Sequence, residues 1–146
     1  MTTLVWDGKT AAWDSQCTSG ELKYKGEKSY RAKDGKLLLS CGDSHFLPLC
    51  AALYEAGEGP AAYPQGDYSL LRVGPDGAEL ASSDGWLPQG NRFVLGSGGM
   101  AALAALEMGA DAARACEVAC AVDLYSSGPV HSWSPGKRAQ RARKGA

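Results

Sequence analysis

Two short apolar runs, Thr2 to Trp6 and Thr10 to Asp14, flank the turn Asp7-Gly8-Lys9. An Asp-Gly turn between such runs is a strong hairpin signal, because its backbone conformation matches the twist of paired strands. The chain is therefore expected to open as a β-hairpin, with Thr2 and Thr3 at the head of the first strand and directly behind Met1. Loss of Met1 would leave a threonine that carries its own base. The hydroxyl is a poor nucleophile at neutral pH, but a free α-amine, with an ordinary pKa of about 7.7 to 8.0, can take its proton. Such a nucleophile also needs a nearby cation, a carboxylate to hold that cation, hydroxyls to orient the amine, and N–H donors for an oxyanion.

The rest of the chain predicts a layered α+β domain. Ser15 to Gly26 is polar and predicts a loop, Ser29–Arg31 a strand, and Leu37-Leu38-Leu39-Ser40-Cys41 a strand buried on both faces. Leu47, Cys50, Ala51 and Tyr54 recur at helical spacing between Ser44 and Ala56, with Gly57 as the stop and Pro48 confined to the first turn. Residues 57–90 are rich in glycine and proline, and within them Tyr68–Val73 and Ala78–Ala81 flank a Gly74-Pro75-Asp76-Gly77 turn. Phe93–Leu95 predicts a strand running into Gly96-Ser97-Gly98-Gly99, followed by a helix from Met100 to Met108 that Gly109 ends. Asp111 is placed to cap a second helix, whose buried stripe would be Ala112, Ala115, Cys116, Ala119 and Val122. A last strand is expected near Val130–Trp133. This order favours a sandwich over a doubly wound parallel fold.

With 146 residues, the chain is long enough for one real core. Its charge is uneven: residues 1–133 hold 16 acids and 10 bases, net −6, whereas residues 134–146 hold five bases and no acid. The expected division is a folded domain over 1–133 and a basic, flexible tail over 134–146. Asp7 interrupts the opening apolar run and no secretory leader is expected, which suggests the cytoplasm. The apolar stretch from Met100 to Val122 carries Glu107, Asp111, Arg114 and Glu117, which argues against a membrane span. Five cysteines form no CxxC pair and suit buried, reduced thiols. Cys116 and Cys120 lie one helical turn apart, but His45 and His131 are isolated, so neither a metal nor any other cofactor is expected.

The remaining requirements of a threonine nucleophile have candidates in the chain. Asp14 ends the second strand, Lys28 precedes the next one, and Gly42 ends the leucine-rich strand with an amide that could face an oxyanion. Ser97 sits in a strand-to-helix turn, and Asp123 and Ser126 lie three residues apart after the last helix. In this order and at this spacing the chain resembles the peptidase subunits of the proteasome family, namely proteasome β-subunits and the HslV-type subunit. The match covers most of the chain.

The resemblance implies a four-layer αββα sandwich of the N-terminal-nucleophile (Ntn) hydrolase kind and a threonine-type endopeptidase. Met1 would be removed by a methionine aminopeptidase, with no long propeptide needed. The Thr2 hydroxyl would attack a peptide carbonyl while its amine takes the proton. Lys28, held by Asp14, would keep the site electropositive, Gly42 would supply the oxyanion hole, and Ser97, Asp123 and Ser126 would orient the amine. Cys17 and Ser40 would line a small, fairly neutral first pocket. The implied partners are a peptide or unfolded protein substrate, further copies in a closed homo-oligomer, and an ATP-dependent unfoldase; neither a membrane nor nucleic acid is expected. Between Tyr54 and Tyr68 there is no room for a long second helix, so a reduced outer helical layer is expected. A small-amide amidase of the same superfamily and a catalytically silent assembly subunit are the alternatives.

Overall fold

A computed structural model of the chain describes residues 2–19 and 21–135. The basic segment from Lys137 to Lys144, the main part of the expected tail, lies outside the described residues. In chain order the strands and helices are β1 (Leu4–Trp6), β2 (Ala11–Trp13), β3 (Gln16–Ser19), β4 (Leu22–Lys25), β5 (Ser29–Arg31), β6 (Leu37–Gly42) and α1 (Phe46–Glu55). There follow β7 (Tyr68–Gly74), β8 (Gly77–Ser82), β9 (Gly85–Pro88), β10 (Phe93–Leu95), α2 (Gly99–Glu107), α3 (Ala112–Val122) and β11 (His131–Trp133).

Two antiparallel sheets carry the structure. One has the order β10-β1-β2-β11 and the other β5-β6-β7-β8-β9. Strand alternation explains how they stack. Leu4 and Trp6 of β1 and Ala11 and Trp13 of β2 form one core with Leu37 and Leu39 of β6 and Leu71 and Val73 of β7, so the sheets share their inner faces. Val5 and Ala12 point the other way, into a second core with Ala102, Leu106, Ala115, Cys116 and Ala119 of α2 and α3. Leu38 and Leu70 turn outward on the second sheet and meet Leu47, Cys50 and Ala51 of α1, with Tyr63. The small residues on α2 and α3 let both helices approach the first sheet closely.

The opening hairpin forms as its sequence predicts, with Leu4 opposite Trp13 and Trp6 opposite Ala11. Asp111 caps α3 by accepting a hydrogen bond from the Arg114 N–H at 2.9 Å. On the far side of the second sheet, α1 is followed by a short 3-10 turn at Pro60–Ala62 rather than a second long helix. On the same sheet Arg72 packs over Trp86, 4.3 Å from the ring centroid, while bonding Glu79.

Three sequence expectations fail. Ser15–Gly26 is not a loop but holds the β3–β4 hairpin, with Cys17 opposite Tyr24. All four β4 residues are exposed, so the strand is held by pairing with β3 rather than by a buried face, although Leu22-Lys23-Tyr24-Lys25 does alternate apolar and polar in the sequence. The strand β9 inside the glycine- and proline-rich region was missed for a similar reason: its four residues are pinned to β8 by pairing, not by a buried face. Val122 is 68% exposed and does not continue the α3 stripe; it borders an apolar groove with Ala101, Ala104, Met108 and Val118 on the outer side of α2 and α3.

Candidate active site

The two β-ladders deliver the charged pair. Asp14 continues the β1–β2 ladder by one residue, its N–H donating to the Thr3 carbonyl at 3.2 Å. Lys28 continues the β5–β6 ladder, its carbonyl accepting from the Ser40 N–H at 3.0 Å. The two side chains meet, and Lys28 Nζ donates to Asp14 Oδ1 at 2.7 Å. Both residues are buried. A buried ion pair is tolerated when hydrogen bonds satisfy its remaining lone pairs. Asp14 meets that condition: Oδ1 also accepts from Thr3 N (3.0 Å), and Oδ2 accepts from Gln16 N (3.2 Å) and Ser127 N (3.1 Å).

A second chain of bonds starts from Thr3 and ends at the Gly-Ser-Gly turn. Thr3 Oγ1 lies 2.7 Å from Ser126 Oγ, Ser126 Oγ donates to Asp123 Oδ2 at 2.6 Å, and Ser97 Oγ donates to the same oxygen at 2.6 Å. Burial pushes the Asp123 carboxyl up, but the hydrogen bonds from Ser126 and Ser97 outweigh it, and the net shift is below the ordinary carboxylate range. The segment 123–127 is held in place by a backbone bond from Ser15 N to the Ser127 carbonyl at 2.9 Å.

Thr2 is buried between these two arms. Its carbonyl accepts from Gly98 N at 3.4 Å, and its hydroxyl lies beside the Cys41 thiol. Burial pushes the Cys41 thiol up against the opposing influence of Lys28 and of that hydroxyl, so the sulfur stays protonated at neutral pH. Glycine is demanded twice in the turn that covers the threonines. A Cβ on Gly96, where φ is +92°, would stand 1.9 Å from the Thr2 carbonyl oxygen, and one on Gly98 would stand 1.9 Å from Thr3 Oγ1. Gly42, directly after Cys41, also has a positive φ, +101°, and a Cβ there would meet the Asp67 carbonyl oxygen at 2.4 Å.

Asp14, Lys28, Ser97, Asp123 and Ser126 are thus joined in one hydrogen-bonded network through Thr3. Thr2 belongs to it through the shared peptide bond, and Gly42 is next to its thiol neighbour. Sequence reasoning did not single out Thr3 as a site residue, nor Cys41. The alternation of a strand headed by two threonines was the available signal for Thr3, since one of them must face α3 when the other faces the second sheet. Nothing in the sequence marked Cys41. The two residues expected to line a first pocket, Cys17 and Ser40, are both buried, Cys17 against Gly26. An open pocket of about 440 Å³ is lined by Glu27 and Ser29, the chain neighbours of Lys28, with Tyr30, Ser44 and the α1 residues Leu47, Pro48, Ala51 and Ala52. Among the described residues no group of three or more His, Cys, Asp and Glu side chains is arranged to hold a metal ion. No helix among them is long and apolar enough to cross a membrane.

No protein-family model matches the sequence, and no curated protein matches it. Solved structures do match. Thiobacillus denitrificans BPH in complex with epoxomicin superposes with a TM-score of 0.70 at 19% identity, over 91% of this chain and 97% of that one. A second structure of Thiobacillus denitrificans BPH gives 0.69 at 21% identity, over 90% and 95% of the two chains. Eukaryotic HslV from Trypanosoma brucei gives 0.65 at 20% identity, over 90% and 98%. The chain has the HslV fold. The likeness spans nearly the whole length of each chain.

Proposed function

We propose that this chain is a threonine peptidase, hydrolysing peptide bonds through an acyl-enzyme on Thr2 once Met1 has been removed. The observation that carries the reading is the Thr3-centred network, which sets a buried Lys28–Asp14 pair on one side of Thr2 and a carboxylate-bound pair of serines on the other. The fold shared with HslV supports it, and we take the stacked cores as the αββα layering of that fold.

The hydrogen-bond donors give the serines a direction. A serine hydroxyl has one proton, and both Ser97 and Ser126 donate theirs to Asp123 Oδ2. Each oxygen is left with lone pairs only, ready to accept from the Thr2 amine. An amine that donates its protons to these oxygens keeps its own lone pair for the Thr2 hydroxyl. In the first step the Thr2 Oγ–H bond breaks, the proton passes to the amine, and Oγ bonds to the substrate carbonyl carbon. The Gly42 N–H stabilises the resulting oxyanion. The ammonium of Lys28 lowers the cost of the developing alkoxide, and Asp14 fixes its position. Collapse of the tetrahedral intermediate breaks the C–N bond as the amine returns its proton to the leaving nitrogen. Water then adds to the ester, giving one proton to the amine, and the carboxylic acid departs as Thr2 Oγ is reprotonated. The open pocket lined by the chain neighbours of Lys28, with its mixed tyrosine, leucine, proline and serine walls, is the proposed seat of a substrate side chain.

We also propose that the chain works in the cytoplasm in a closed homo-oligomer fed by an ATP-dependent unfoldase, as a free threonine nucleophile calls for enclosure. The test is intact mass together with hydrolysis of a fluorogenic peptide. Active protein should lack Met1, and Thr2→Ala should abolish turnover with little loss of stability. Turnover by Thr2→Ala at the parent rate, or full activity in protein that retains Met1, refutes the assignment. Hydrolysis of small amides but not of peptides would favour the amidase reading.

A further inference from the structure

We infer that Thr3 is a positioning residue for the Thr2 amine, a role that rests on the peptidase reading. The geometry of Thr3 is tightly constrained. It is wholly buried. Its N–H donates to Asp14 Oδ1, its carbonyl accepts from Asp14 N, and the Cys116 thiol approaches the same carbonyl at 3.9 Å. The peptide plane between Thr2 and Thr3 is therefore pinned at both ends, at its N–H by the Asp14 carboxylate and at its oxygen by Gly98 N. That plane sets the backbone torsion of Thr2, and with it where the amine points.

The side chain adds a second constraint, and proton accounting fixes its sense. Either oxygen of the Thr3–Ser126 pair could in principle donate. Ser126 has one hydroxyl proton and spends it on Asp123 Oδ2, and an ionised carboxylate can only accept. Thr3 Oγ1 must then be the donor to Ser126. This bond occupies one of the two lone pairs of Ser126 and leaves one for the amine. Thr3 thus limits Ser126 to a single acceptor site with a fixed direction, and the absent Cβ of Gly98 leaves room for the hydroxyl to reach it.

Replacing Thr3 by valine keeps the shape and removes the donor. Ser126 then presents both lone pairs, which favours the protonated amine over the free base. The titratable groups packed around this point are Asp14, Lys28, Cys41, Cys116, Cys120 and Asp123, and none of them is altered by the change. In Met1-free protein, Thr3→Val should lower kcat for peptide hydrolysis by about tenfold with KM little changed. It should also raise the Thr2 amine pKa by about half a unit, read by NMR of 15N-threonine-labelled protein and as an upward move of the acid limb of kcat/KM. Thr3→Ser, which retains the donor, should stay close to the parent in both readouts. A purely structural role would lower stability in both variants without moving the amine. If Thr3→Val does not fold, Thr3→Cys, a weak donor, carries the same comparison. Parent-like kcat and amine pKa in a folded Thr3→Val overturn the inference and leave the peptidase reading standing. A parent protein without turnover, whose amine pKa still moves in Thr3→Val and not in Thr3→Ser, overturns the peptidase reading and leaves the positioning role standing.

Discussion

The sharpest test of the buried pair is Asp14→Asn, which changes charge and one acceptor while keeping shape. The carboxylate accepts four hydrogen bonds, two at each oxygen, from Lys28 Nζ, Thr3 N, Gln16 N and Ser127 N. An amide has one accepting end. Turned one way, its NH2 faces the donors of Gln16 and Ser127; turned the other, it faces those of Lys28 and Thr3. Two donors lose their acceptor in either case, and the Lys28 ammonium loses the carboxylate that offsets its burial. Removing one partner of a buried ion pair costs about 3–5 kcal/mol. A stranded buried N–H costs about 1–3 kcal/mol. The terms share one carboxylate and do not add, so the expected loss is about 4 kcal/mol, a large fraction of the roughly 5–15 kcal/mol of a typical domain. Urea unfolding followed by the fluorescence of Trp6, Trp13 and Trp133, whose rings pack in or against the inter-sheet core, gives the number. Adding Lys28→Met to the asparagine variant removes the ammonium whose carboxylate has been lost, and the double variant should lose less than the sum of the two single losses. A loss under about 1 kcal/mol for Asp14→Asn, typical of a surface change, would refute the electrostatic reasoning. So would a full additional loss in the double variant.

Two further outcomes follow from backbone and thiol environments. Gly96→Ala should cost about 2–4 kcal/mol and reduce peptide hydrolysis, since its Cβ would displace the Thr2 carbonyl, whereas Gly35→Ala, with similar φ but nothing within 4 Å, should cost only about 1 kcal/mol; thermal unfolding of both variants checks the contrast. Burial raises the thiols of Cys41, Cys50, Cys116 and Cys120 above their ordinary value of 9.0. As pH climbs past that value the unfolded chain loses protons that the folded protein keeps, so stability should fall with rising pH. Urea midpoints at about pH 8 and about pH 10 should show the decline, and Cys116→Ala should make it shallower; equal slopes in parent and variant would remove Cys116 from the explanation.

What the chain determined by itself was local. Asp7-Gly8 made the first hairpin, Gly57 and Gly109 ended their helices, Asp111 capped α3, and the unbroken apolar run of β6 announced a strand covered on both faces. These signals act over a few residues, through turn geometry, capping and the period of burial, so they survive without a neighbour. The order of Thr2, Asp14, Lys28, Gly42, Ser97, Asp123 and Ser126 was equally legible as a pattern. The contacts that make those residues a site were not. Thr3 and Ser126 are 123 positions apart and meet only because β1 lies beside the chain leaving α3. The exposed strand β4 and the pinned strand β9 carry no burial period, and Val122 falls off a stripe that local spacing would have continued. Two sheets had to stack before Lys28 could find Asp14 or Thr2 could find Cys41. A hydrogen bond across that stack depends on where whole layers come to rest, a property that no short stretch of sequence encodes.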